Sequence, residues 1–314
     1  MPQTNQTFIK LHANGKLLLS GEYLVLYGAK ALAIPLKRGQ TLEVNQHQGE
    51  DFIWKATHPQ GHWFEAQFND QLKILNASDS EKAKKLQEIL TEAGKLTKKS
   101  INFAGLEAHT HLEFDPFWGW GSSSTLVSNV ARWLNIDPYK LLKKTFGGSG
   151  YDIACATAHS PVFYSLKNKQ ALVEPVAFNP PFADKLWVVY LNRKQSSAEA
   201  IKTHISKNKV TDLLLNRISK ISEQMTKEIS ERVFMELMAE HESLAGEFIG
   251  QQPVRKRLFN DFPGQIKSLG AWGGDFILAL SQTSDSETKK YFQTKGLNIL
   301  FSLGDIKLNT SHAT

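Results

Sequence analysis

The stretch "DPFWGWGSSSTLVSNVARWL", residues 115–134, sets Gly119 and Gly121 ahead of Ser122, Ser123 and Ser124. An apolar stripe of Leu126, Val127, Val130, Trp133 and Leu134 follows at helical spacing. The first amides of a helix lack intrahelical acceptors and sit at the positive end of its dipole, so they bind anions, phosphate above all. Glycines let such a backbone approach a ligand closely. Serine hydroxyls add donors, or an oxygen for a hard cation such as Mg²⁺. No lysine follows Gly121 as a P-loop would require, and the spacing is not the GxGxxG of dinucleotide-binding folds. Taken alone, a glycine–serine turn that caps a helix is structurally ordinary.

The elements around this turn follow from periodicity. "GLEAHTHLEFDP" (105–116) alternates, with Leu106, Ala108, Thr110, Leu112 and Phe114 on one face, which predicts a half-buried strand leading into the turn. His109 and His111 fall on its other face and read as exposed strand residues rather than metal ligands. Asp137 is a good N-cap and Pro138 a good first residue for a helix ended by "GGSG" (147–150), which opens "YDIACATA". Upstream, 16–36 predicts strand, turn, strand, and short strands follow through "DFIWKATH" and "HWFEAQF". A helix is expected over 81–93 with Gly94 as its stop. "PVFYSL" and "ALVEPVAF" predict a hairpin. Beyond a boundary near Pro181 the chain reads as mostly helical, over 196–208, 211–230 and 231–250, with Leu213, Leu214, Ile218, Ile221, Met225 and Ile229 as a core stripe. "IKSLGAWGGDFILALS" and "LNILFSLGDIK" close the chain as loops and strands.

Composition bounds the function classes. The chain has 314 residues, 41% hydrophobic and 22% charged, which suits a folded globule of two domains. Its formal charge of +6 suits an anionic ligand or simple solubility, and the lysines and arginines are scattered rather than gathered into a nucleic-acid stripe. A single cysteine, Cys155, excludes an internal disulfide and a CxxC site. With no signal-peptide pattern and no apolar run of about 18 residues, no membrane partner and a cytoplasmic location are expected.

Three separated segments, taken together, resemble the motifs of the GHMP kinases, the family of galactokinase, homoserine kinase, mevalonate kinase and phosphomevalonate kinase. "GKLLLSGEYLVLYGAKALA" resembles the first motif. "PFWGWGSSS" is similar to the second, with Trp120 in place of leucine, and "LGAWGGDFILAL" to the third, with Trp272 in place of a glycine. "GSGYDIA" looks like the segment that carries the catalytic aspartate in mevalonate-type members. The resemblance implies an α+β fold of two domains, a ribosomal-protein-S5-like N-terminal domain over 1–180 and a ferredoxin-like C-terminal domain over 181–314.

It also implies ATP and Mg²⁺, with Gly119, Trp120, Gly121, Ser122, Ser123 and Ser124 around the nucleotide and Ser123 on the metal. Asp152 would orient the substrate hydroxyl and accept its proton, and Lys16 would stabilise charge on the transferred group. Asp152 could instead cap a helix, and Lys16 could be a surface lysine. Glu22, Gly150, Gly273 and Gly274 are expected beside the substrate, although Glu22 reads equally well as half of a structural ion pair. Mevalonate kinases carry a second metal-binding glutamate eleven residues before the catalytic aspartate, where this chain has Leu141. The expected substrate is mevalonate or 5-phosphomevalonate, with a sugar, homoserine or a non-catalytic nucleotide sensor as alternatives. The tyrosine in "GEY", the "GSGYDIA" segment and Asp275 lean towards phosphomevalonate, whereas "YGAKALA" and the compact length look more like mevalonate kinase. Lys37, Arg38, Arg193 and Lys194 are available for an extra phosphate. The resemblance allows a homodimer.

Overall fold

The computed structural model describes residues 9–98, 101–192, 210–270, 272 and 275–308. By contacts the chain divides into two units. One takes Met1–Gly15, Arg38–Pro116 and Trp120–Thr157, and the other Lys16–Lys37, Phe117–Gly119 and Ala158–Thr314. A single cut near Pro181 does not describe this division. The hairpin of β7 (Val162–Lys167) and β8 (Gln170–Pro175) pairs with Ala31–Ala33 at the start of β2 (Ala31–Gln46), which draws both segments into the second unit.

In the first unit β3 (Phe52–His58), β4 (Gly61–Phe68), β5 (Ile74–Ala77) and β6 (Leu106–Leu112) extend the second half of β2 in the order β5-β4-β3-β6-β2. The β3–β6 pair is parallel, with Trp54 opposite Ala108, and the others are antiparallel. β1 (Ile9–Ser20) pairs with β2. Ala108, Thr110 and Leu112 point inward as the alternation predicts, and His111 is exposed. Four helices cover one face: α1 (Ser80–Leu96), α2 (Ser122–Trp133), α3 (Pro138–Thr145) and α4 (Tyr151–Thr157). Leu86, Ile89 and Leu90 of α1, Val127 and Val130 of α2, and Leu141 and Leu142 of α3 pack on Phe52, Trp54 and Phe68 in one apolar core. Each such leucine contributes about 1.5–3 kcal/mol by leaving water.

Caps set the helix limits. The Asp137 carboxylate accepts from the amides of Tyr139 and Lys140, with Pro138 at the first position, as expected. α1 differs: it continues through Gly94 to Leu96. Ala93 is fully buried, and its carbonyl still receives the amide of Thr97, so packing on both sides of Gly94 outweighs the glycine's helix penalty of about 1 kcal/mol.

The second unit holds an antiparallel sheet in the order β10-β11-β9-β12, formed by β9 (Leu186–Tyr190), β10 (Gly264–Leu269), β11 (Phe276–Ser281) and β12 (Leu300–Ser302). α5 (Asp212–Lys227) and α6 (Glu231–Ile249) pack together, and α6 lies on β10. Ile218, Ile221 and Met225 are buried as predicted. Leu213 and Ile229 are not, at 81% and 76% exposed: Leu213 stands one residue off the 214–218–221–225 stripe, and Ile229 lies beyond the end of α5. A short helix α7 (Val254–Leu258) and α8 (Asp285–Thr294) complete the packing around Ile266, Ile277 and Phe292. The helix expected over 196–208 lies outside the described residues. Among the described residues, no helix is long and apolar enough to cross a membrane.

Candidate functional site

The N-terminus of α2 carries the arrangement that the glycine–serine stretch implied. Gly121 has φ of +93°, a left-handed conformation open to glycine, and no side chain caps the helix. The first amide with an intrahelical partner is that of Thr125, which donates to the Gly121 carbonyl at 2.9 Å. The amides of Ser122, Ser123 and Ser124 precede it, and Ser123 is exposed. The three serines divide their work. Ser124 is 1% exposed and its hydroxyl turns back to the Gly121 carbonyl at 2.9 Å. Only Ser122 and Ser123 can present hydroxyls outward.

α2 is anchored from within. The Thr125 hydroxyl donates to Gln40 Oε1 at 2.9 Å, and Asn129 Nδ2 donates to the Gln40 carbonyl at 2.8 Å. Trp120 is fully buried, with its ring edge-on to Phe114 at 5.7 Å. The tryptophan in place of the family leucine therefore fills core, and its side chain is unavailable to a nucleotide.

Ser122 and Ser123 line a cavity of about 210 Å³ in the first unit, together with Trp54, Trp63, Phe64, Phe146, Lys82 and Lys85. The Lys85 ammonium stands 4.4 Å above the Phe146 ring and donates to the Thr145 carbonyl at 2.5 Å. Both lysines also pair with carboxylates, Lys82 with Asp79 and Lys85 with Glu88, so it is the aromatic walls that suit a flat ligand. Sequence reasoning missed this cavity, because its walls come from β3, β4, α1 and the end of α3, which share no local spacing.

Asp152 is the second residue of α4, half-buried, with Oδ1 accepting the Ile153 amide at 3.0 Å. Gly147, Gly148 and Gly150 have φ of +71°, +95° and +89° and form the turn that delivers it. α4 packs along α2 within the same unit. The Tyr139 phenol is pushed up to about 12, chiefly by burial, with Cys155, Asp152 and Asp137 adding to the effect. Leu141, at the position where mevalonate kinases carry a metal-binding glutamate, is fully buried in the core. A carboxylate there would have to be desolvated. Among the described residues, no group of three His, Cys, Asp or Glu stands together as a metal set.

In the second unit Lys16, half-buried on β1, lines a small cleft with Gly119, Gly270 and Asp275. A Cβ on Gly119 would fall 2.2 Å from Asp275 Oδ2, so this glycine makes room for the Asp275 carboxylate. Trp118 beside it packs against Tyr190, Phe276 and Phe301. Glu22 is 1% exposed: Lys267 Nζ donates to Oε1 at 2.5 Å, and His241 Nε2 stands 3.2 Å from Oε2. This geometry favours the structural ion pair over a substrate ligand. Trp272, like Trp120, is fully buried. Lys37 and Arg38 are exposed. Gly273, Gly274, Arg193 and Lys194 lie outside the described residues.

No family model matches the chain, and no curated protein matches it by sequence. Solved structures do. Mevalonate kinase of Methanococcus jannaschii superposes with a TM-score of 0.71 at 18% identity, over 96% of this chain and 98% of that one. Streptococcus pneumoniae phosphomevalonate kinase, in complex with phosphomevalonate and AMPPNP, gives 0.70 at 17%, over 94% and 99%. Lactococcus lactis galactokinase with galactose gives 0.66 at 13%, over 95% and 92%. The chain has the mixed α+β, GHMP-kinase fold of these neighbours.

Proposed function

We propose that this chain is an ATP-dependent small-molecule kinase that transfers the γ-phosphoryl group to mevalonate or 5-phosphomevalonate. The observation that carries the reading is the uncapped start of α2. Free amides at Ser122 and Ser123, entered through left-handed Gly121, border an aromatic cavity of about 210 Å³. A nucleotide needs both features, phosphate donors beside a slot for a flat base. The GHMP-kinase fold and the motif resemblance supply the reaction class.

In this reading the substrate hydroxyl oxygen attacks the γ-phosphorus, the bond to the bridging oxygen of ADP breaks, and the hydroxyl proton passes to Asp152. A weak carboxylate base suffices, because the proton leaves late as the phosphoryl group arrives. Lys16 stabilises charge on the transferred oxygens. The α2 amides hold phosphates, and the aromatic cavity takes the adenine. Mg²⁺, when bound, neutralises phosphate charge. The residues present fit it modestly: Ser123 offers one exposed hydroxyl, and the remaining ligands are nucleotide oxygens and water, since Leu141 contributes nothing.

A catalytically silent nucleotide sensor loses one of its supports. The two tryptophans in the glycine-rich turns, Trp120 and Trp272, are both buried. ADP release measured over mevalonate, 5-phosphomevalonate, homoserine and galactose tests the reading. Turnover of either of the first two is expected. Turnover only of homoserine or galactose would move the substrate class, and nucleotide binding without any turnover would establish the sensor.

A further inference from the structure

Tyr23 has an unusual backbone. Its φ of 61° and ψ of −44° lie outside the conformations open to L residues without strain, and the Leu24 amide donates to the Glu22 carbonyl at 2.7 Å. A three-residue ring closed in this way is a γ-turn of the positive-φ kind, which is rare and strained. Such strain persists only where the surroundings over-determine it, and it gathers at functional sites.

The surroundings here are specific, and all lie in the second unit. The Gly21 amide donates to His241 Nε2 on α6 at 2.9 Å. The Glu22 carboxylate takes Lys267 Nζ of β10 at 2.5 Å, and the same ammonium donates to the Ser268 carbonyl at 2.7 Å. Neighbouring Glu242 accepts from the Ser268 amide at 2.9 Å and from the Val254 amide at 3.0 Å. Glu22, His241, Glu242 and Lys267 are all at most 1% exposed. Consecutive residues are thus tethered to α6 and β10, and the strained turn between them aims one group: the Tyr23 hydroxyl, which accepts the Trp272 amide at 3.1 Å. Trp272 lies in the turn from β10 to β11, between Gly270 and Asp275, and both of those residues line the Lys16 cleft. The apolar cluster around Tyr23 and Trp272 would hold a phenylalanine ring as well. Only the hydroxyl requires this aim.

We propose that Tyr23 is a positioning residue, its strained turn bracing the Trp272 amide so that Gly270 and Asp275 keep their places beside Lys16. The consequence for turnover rests on the kinase reading of that cleft; the brace itself does not.

Tyr23→Phe tests both. Ala271–Trp272 is the one Ala–Trp step in the sequence, so ¹³C-carbonyl alanine with ¹⁵N-tryptophan isolates the Trp272 amide. An upfield shift of that proton and about tenfold faster exchange are expected, with the other tryptophan amides unmoved. kcat should fall about tenfold with KM within about twofold, the signature of a misplaced cleft rather than lost binding. An unchanged Trp272 amide would overturn the brace. Loosening at every tryptophan amide would reduce it to general stability, and a loosened Trp272 with normal kcat would overturn the positioning role. If the unaltered protein turns over none of the four substrates, the kinase reading fails while the amide measurement still decides the brace.

Discussion

Asp152 and His241 show how differently two titratable side chains serve one chain. Asp152 is half-buried, its Oδ1 accepts the Ile153 amide, and in the kinase reading its task is the proton transfer. Asp152→Asn keeps the size of the side chain and an oxygen that can accept the Ile153 amide, and is expected to lower kcat by about 10²–10⁴. A rate near that of the unaltered chain in the coupled assay would take Asp152 out of the proton transfer. His241 has the opposite character. Burial first, and then the Lys267 charge, hold its imidazole well below the usual value of 6.5, so it stays neutral in the folded chain and accepts the Gly21 amide. The unfolded imidazole takes up a proton near pH 6.5. Its contribution to stability is therefore fully present above about pH 6.5 and is lost as pH falls below it, by up to about 1.4 kcal/mol per pH unit. Glu22 and Glu242 work the other way. Burial raises both, against the opposing pull of Lys267, so their contributions decline as pH rises above about 4.5. Denaturant unfolding of the unaltered protein and His241→Gln between pH 5 and 7 separates the two effects, at about one proton's slope. The difference between the two proteins should shrink as pH falls; a constant difference would mean that the folded histidine takes up its proton normally.

At the scale of single elements, the start of α2 is where sequence and structure agree most closely. The stretch "GWGSSST" announced a glycine entry and free amides, and Gly121 at φ +93° supplies them. Gly121→Ala must force an L side chain into that region, at a cost of about 1–2 kcal/mol, and should raise KM for ATP if the amides are displaced. Urea unfolding and ATP saturation curves on one preparation would read both, and unchanged ATP binding despite lost stability would remove phosphate from the turn. Truncating the cavity wall by Phe146→Ala should weaken ATP by about 1–3 kcal/mol if the ring stacks on the base, the range found for aromatic–base stacking. Isothermal titration with AMPPNP and with pyrophosphate tests this: equal losses for both ligands would rule out a base contact. The Asp137–Pro138 cap was legible because caps are local. α8 was not, although its Ser284–Glu287 capping box is complete, because only Thr288 and Phe292 are buried and no apolar stripe marks it. The Glu22–Lys267 pair joins residues far apart in sequence, and the cavity gathers side chains from separate elements. Neither has a local signature. The positive φ at Tyr23 is equally invisible, since nothing about a tyrosine announces a γ-turn.

For the whole molecule, the division into two units governs how a ligand should register. The motif segments were legible in order along the chain, but the division was not, because β1 and β2 each begin in one unit and end in the other. Two units of one chain need not melt together. A ligand stabilises the unit whose atoms it binds by RT ln(1 + [L]/Kd), about 2.7 kcal/mol at a hundredfold excess over Kd. The α2 amides and the aromatic cavity both belong to the first unit. Differential scanning calorimetry with Mg²⁺ and AMPPNP at that excess should therefore move the transition that includes the first unit by about 5–10 °C, using about 2–4 °C per kcal/mol. Hydrogen exchange across the same heating range identifies which transition that is, through the amides of Val127–Val130, buried in the middle of α2. The shift should largely vanish in Gly121→Ala, which removes the donor geometry and leaves the cavity walls in place. A shift confined to the transition that lacks α2, or one that Gly121→Ala leaves intact, would place nucleotide binding elsewhere and withdraw the phosphate role from Ser122 and Ser123.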